Sequence, residues 1–204
     1  MNEQESGAEA AALACRLTEA LVFAATEPVA ERTIAELLVS QDALGKAEDV
    51  GAAVRAVIEQ VRASCEGRGV TLVQVAGGWQ FRTAPDLAPR LTKVMLRPRR
   101  LPRSAMETLS IVAYHQPCTR ADIEAIRGVS LGQQTLDLLL EASLIVPRGR
   151  KEVPGRPTLW GTSPRFLEYF GLRDLRELPR REELLVELPV LPATEPDPAS
   201  VADG

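Results

Sequence analysis

The sequence predicts a mainly α chain with small β-hairpins, an α+β fold made of two tandem copies of one plan and a disordered acidic tail. Three observations carry this. From Ser104 to Leu172 the chain reads as three short helices, a Gly/Pro-rich basic hairpin and a capped last helix. A shift of 89 residues lays that stretch on an earlier one: Pro28 falls on Pro117, Ile34 on Ile123, Leu37 on Ile126, Val22 on Ile111 and Ala24 on Ala113. After about Val190 the chain (LPATEPDPASVADG) becomes Pro-rich, acidic and poor in aromatics, a composition that cannot bury enough apolar surface to fold. Three helices followed by a hairpin is the order of a winged helix, and five aligned positions in one helical context argue for two of them. The expected layout is a first winged helix over residues 9–84 and a connecting helix with a basic linker over 85–103. A second winged helix follows over 104–180, then the tail over 190–204.

In the first copy, Ala10–Ala25 is a helix with Leu13, Leu17, Leu21 and Ala24 near one face. Thr33-Ile-Ala-Glu36 has the form of a capping box and opens the second helix. Asp49–Cys65 is the third, with Val50, Val54, Val57, Ile58 and Val61 inward. Val70–Val75 and Trp79–Thr83 alternate as strands, with Gly77-Gly78 as their turn. Pro85–Met95 connects as a helix, and Arg97-Pro-Arg-Arg-Leu-Pro-Arg103 is a linker stiffened by proline and kept wet by arginine.

In the second copy, Ser104-Ala-Met-Glu107 is the capping box of a helix that Pro117 stops. Thr119–Arg127 is the next helix, ended by Gly128, and Ser130-Leu-Gly-Gln133 caps a third that runs to about Ser143. Leu144–Val146 and Thr158–Trp160 flank the wing. Thr162 or Ser163 caps a last helix that starts at Pro164 and closes at Gly171.

Bulk composition narrows the function. The 204 residues are 45% hydrophobic, 25% charged and only 4% aromatic, which speaks against ring-stacking on single-stranded nucleic acid. No apolar run approaches a membrane span, and the polar, acidic start MNEQESGAEA is unlike a secretory signal. Cys15, Cys65 and Cys118 are odd in number and far apart, as expected in a reducing cytoplasm without a disulfide framework. One histidine and no CxxC leave little for a zinc site. No phosphate-loop pattern is present either, and no cofactor is expected. Charge is uneven: residues 1–96 carry −4, residues 97–181 carry +6 and residues 182–204 carry −6, so the central segment suits an acidic partner.

Winged helices are most often DNA readers, and a reader needs Arg, Lys, Asn or Gln at the groove-facing start of its third helix. Here no Lys or Arg occurs between Arg127 and Arg148, while Asp137 and Glu141 would repel phosphates. The same helix is rich in leucine: Leu131, Leu136, Leu138, Leu139 and Leu140 exceed one helical face. They are either core or a strip that holds a partner segment. The wing carries Arg148, Arg150, Lys151 and Arg156, whose readings are a solvated turn or a contact to phosphates or acidic side chains. Leu13, Leu17, Leu21 and Ala24, beside small alanines, serve either the core or a dimer contact. Catalysis would have to rest on Cys118 and His115, without a visible oxyanion hole.

The strings LSIVAYHQPCTRADIEAIRGV, GRKEVPGRP and WGTSPRFLEYFGLRDLRELP resemble, in order and spacing, the bacterial segregation and condensation protein B family. The match runs from about Leu109 to Pro179, while Leu13–Pro85 matches in plan more than in letters. The third helix, Gly132-Gln-Gln-Thr-Leu-Asp137, and Trp160 depart from the family pattern. The resemblance implies tandem winged helices that homodimerise chiefly through the first pair. It also implies binding to a kleisin, segregation and condensation protein A, which bridges the ATPase heads of an SMC dimer. The implied role is a non-enzymatic subunit for chromosome condensation and partition, cytoplasmic and held at the nucleoid through its complex, with at most weak non-specific DNA contact. The alternative from the fold alone is a winged-helix transcription regulator, which would show a strong, sequence-specific and salt-dependent gel shift.

Overall fold

The computed structural model describes residues 3–45, 47–91, 94 and 101–180. The expected disordered tail and most of the arginine linker lie outside the described residues. What is described is an α+β chain with two separate clusters of buried side chains, one in each copy of the plan.

The first copy runs α1 (Glu3–Ala24), α2 (Glu31–Ser40), α3 (Val50–Ser64), β1 (Val70–Val75) and β2 (Gly78–Thr83). Its core closes where Ala14, Thr18 and Val22 of α1, spaced four apart, meet the aliphatic face of α3: Val54, Val57, Ile58 and Val61. Asp49 caps α3 by accepting from the Ala52 amide at 3.0 Å. Helix α2 starts two residues before the expected capping box. Ala30 is its N-cap, and the Thr33 and Ile34 amides already bond to the Ala30 carbonyl, so Thr33 sits inside the first turn. The β1–β2 turn is Ala76-Gly77, one residue earlier than expected, with φ of 51° and 75°, the left-handed pair of a type I′ hairpin. Gly78 instead lies against Pro28, close enough that a Cβ would come within 2.8 Å of the Pro28 carbonyl carbon. That closeness lets Val29 and Trp79 exchange backbone hydrogen bonds of 2.9 and 2.8 Å. After β2 the described residues hold a short helix, α4 (Ala88–Leu91), within the expected Pro85–Met95, of which residues 92, 93 and 95 lie outside the described residues.

The second copy runs α5 (Arg103–His115), β3 (Cys118–Thr119), α6 (Arg120–Arg127), α7 (Gln133–Glu141), β4 (Ile145–Arg150), β5 (Thr158–Thr162) and α8 (Pro164–Phe170). The antiparallel sheet has the order β3–β5–β4. Its Cys118–Trp160 pairing repeats the Val29–Trp79 bridge, and Val29 and Cys118 are one repeat shift apart. Thr119 and Asp122 form the one full capping box seen at a described helix start. Pro102, not Ser104, precedes α5, and Gly132, not Ser130, precedes α7, neither with a side-chain cap. Gly128 and Gly171 close α6 and α8 in the left-handed region, as expected. Ser163 caps α8 through the Phe166 amide at 3.2 Å.

Candidate functional site

The start of α7 is set by a polar clamp that the sequence alone did not reveal. Arg120 donates to the Leu131 carbonyl, to Glu124 at 3.1 Å and to Gln133 at 3.2 Å. Glu124 accepts from the Leu131 amide at 2.8 Å, and Gln133 reaches Asp137 at 2.8 Å. The Arg120/Glu124 spacing of four was the one visible clue. The clamp drives Leu131 into the core and turns the polar edge of α7 outward.

The Leu131 amide, and next the Arg120 guanidinium, hold the Glu124 carboxyl below its ordinary value of 4.5. A depressed folded pKa contributes stability above that ordinary value, and the contribution is lost as pH falls through the lower folded value. Glu124→Gln is therefore expected to flatten part of the acid-side fall in thermal midpoint, measured between about pH 6 and pH 3. An unaltered slope would mean that the clamp does not titrate with folding.

Of the five leucines considered for partner binding, Leu131, Leu136 and Leu139 are at most 3% exposed. They are spent on the core, the first of the two readings that the sequence left open. Leu138 and Leu140 are half-buried at the rim of the same cluster. Around them Gln133, Gln134 and Glu141 are exposed and Asp137 is partly so, giving α7 an outer face without cations. The wing residues Arg148, Arg150, Lys151 and Arg156 are largely engaged nearby. Arg148 donates to the Thr162 carbonyl at 2.7 Å, Lys151 lies 3.6 Å from Asp122, and Arg156 lies 3.3 Å from Glu152. Arg150 is exposed. Gln116, which no sequence pattern marks out, accepts from the Thr162 amide at 2.7 Å and ties the end of α5 to β5.

The candidate dimer residues divide. Leu17 and Leu21 are half-buried against the first core, whereas Leu13 and Ala24 are exposed. The inward row is Ala14–Thr18–Val22, so Leu13 and Leu17 face sideways onto a groove of about 890 Å³ between α1 and the hairpin. Leu13, Leu17, Phe23, Val70 and Phe81 give it an apolar lining, and Arg16 and Arg82 also border it. Phe23, 82% exposed, was not singled out by periodicity because it lies off the leucine row. The Cys118 thiol is 2% exposed, and burial, then Asp122, pushes its pKa up, the reverse of what an attacking thiolate needs. His115 is exposed in the last turn of α5.

The chain is similar to several known proteins. The family model for segregation and condensation complex subunit ScpB matches residues 16–181. Segregation and condensation protein B of Desulforamulus reducens is 40% identical over 171 residues, which cover 83% of this chain and 90% of that protein. The Geobacillus kaustophilus protein of that name is 43% identical over 184 residues, 87% and 80% of the two chains. The crystal structure of ScpB from Mycobacterium tuberculosis is 30% identical, covers 79% of this chain and 97% of its own, and superposes with a TM-score of 0.34. On the family match and these identities, the chain belongs to the segregation and condensation complex subunit ScpB family.

Proposed function

We propose that this chain is a non-enzymatic adaptor of a condensin-like SMC–kleisin complex, acting in chromosome condensation and partition. In this reading residues 9–84 and 104–180 are separate winged-helix domains joined through 85–103. The first makes a homodimer through the α1 side that carries Leu13 and Phe23. The second holds segregation and condensation protein A, the kleisin, at the rim of α7, and meets the SMC heads only through it. The chain works in the cytoplasm and reaches the nucleoid through the complex. Among the described residues no helix is long and apolar enough to cross a membrane.

The observation that carries the reading is the outer face of α7. The helix that would enter a DNA groove shows Gln133, Gln134, Asp137 and Glu141 beside two half-buried leucines and no Lys or Arg. Such a face opposes phosphates and suits an amphipathic protein segment. The test is co-purification with segregation and condensation protein A, with the complex mass measured by light scattering. A monomer that ignores that partner, or a strong sequence-specific gel shift by the chain alone, would overturn the proposal. Leu138→Glu with Leu140→Glu is expected to weaken kleisin binding at least roughly tenfold while the far-UV spectrum is kept. Leu139 is unsuited to this test because a carboxylate there would lie in the core.

A further inference from the structure

The tip of the first hairpin is already occupied. In a two-residue type I′ turn the amides of both central residues point away from the ladder and have no partner inside the hairpin. Here the Ala76 amide donates to the Leu172 carbonyl at 2.9 Å and the Gly77 amide to the Arg173 carbonyl at 3.2 Å. From the next strand Arg82 donates to the Glu168 carbonyl, at the C-terminal end of α8, where a cation is favoured. The receiving segment is itself fixed. Leu172 bonds back to the Leu167 carbonyl at 2.9 Å, and the Arg173 amide is held by Glu177 at 2.6 Å. Gly171 leaves room for Arg82, since a Cβ there would come within 3.0 Å of the guanidinium. Three donors from the first winged helix therefore meet three carbonyls of the second, those of Glu168, Leu172 and Arg173.

We propose that the first wing is an intramolecular clasp. It holds the two winged helices in one arrangement and withholds its own tip from outside partners, with Arg82 as the residue that closes it. This goes beyond the adaptor reading and does not depend on the identity of any partner. The clasp also bears on the groove, because Arg82 borders both.

The experiment is amide hydrogen exchange, residue by residue, on the full chain by NMR. In the wild type the Ala76 and Gly77 amides are expected to exchange far more slowly than turn amides of an open hairpin. In the Arg82→Ala protein they are expected to speed up roughly tenfold or more, while the β1–β2 ladder amides keep their rates. Wild-type amides at 76 and 77 that exchange as fast as in an unstructured peptide would overturn the clasp. Unchanged rates in a folded Arg82→Ala protein would overturn the part given to Arg82. The wild-type rates alone decide the contact, so a variant that fails to fold leaves the test intact.

Discussion

Leu139→Ala is expected to lower the unfolding free energy by about 2–5 kcal/mol, the cost of an emptied site at the centre of a core. Leu139 is fully buried, within the cluster that α7 shares with α5 and the sheet. Its neighbour Leu138 sits at the edge of that cluster, half-buried. Leu138→Ala is expected to cost much less, since less apolar surface leaves the core and the site can close over it. Urea unfolding of the two proteins, followed by far-UV circular dichroism, separates them. Equal midpoints would contradict the division of α7 into an inner and an outer leucine set, and with it the choice of Leu138 and Leu140 as the surface left for a partner.

Gly78→Ala is expected to cost about 1–3 kcal/mol, as overpacking does in a filled interior. The added methyl would meet backbone, not a side-chain end that can swing aside. It would come within 2.8 Å of the Pro28 carbonyl carbon and 2.9 Å of its oxygen. Relief requires Pro28 to move, and the next residue is fixed by the paired Val29–Trp79 hydrogen bonds and by the Trp79 indole, which donates to Glu31 at 3.2 Å. Thermal unfolding of Gly78→Ala beside Gly67→Ala checks the cause. At Gly67 the φ of 70° is strained for alanine but the space is open. A smaller effect at Gly78 than at Gly67 would mean that the contact with Pro28 yields, and that the bridge does not fix the hairpin on α2.

The fold was readable to the extent that its rules are local. Helices, strands and the glycines at 128 and 171 follow from periodicity and from the left-handed backbone that glycine tolerates. Capping was less readable. The Ser/Thr-x-x-Glu pattern occurs at Thr33 and Ser104, but chain that precedes each is already committed: Val29 to its bridge and Pro102 to its fixed φ. Each helix therefore begins before the pattern. Thr119 follows the equivalent Cys118–Trp160 pairing and is itself the N-cap, so the box forms with Asp122, whereas the first copy has Ala30 in that place.

The face of α1 was left open by the sequence for a different reason. Leu13–Leu17–Leu21 and Ala14–Thr18–Val22 run side by side, and hydropathy favours the first. Packing favours the second, because small side chains let α1 approach α3 closely, and the buried Thr18 shows the row that proximity selected. The leucine surplus of α7 was visible, but which leucines turn inward depends on the Arg120–Glu124 clamp, a tertiary feature beyond the reach of spacing. The hairpin tip's contact with the second copy joins residues almost a hundred positions apart and leaves no local trace.

The repeated bridge has a spectroscopic consequence. The chain has two tryptophans, and the repeat puts one in each copy: Trp79 paired to Val29, and Trp160 paired to Cys118. Each indole packs on its own core, so its emission reports the melting of that half alone. Trp160→Phe and Trp79→Phe thus turn one protein into two single-fluorophore thermometers. Coincident curves from the pair would describe one cooperative body, and separated curves would give the order in which the halves let go.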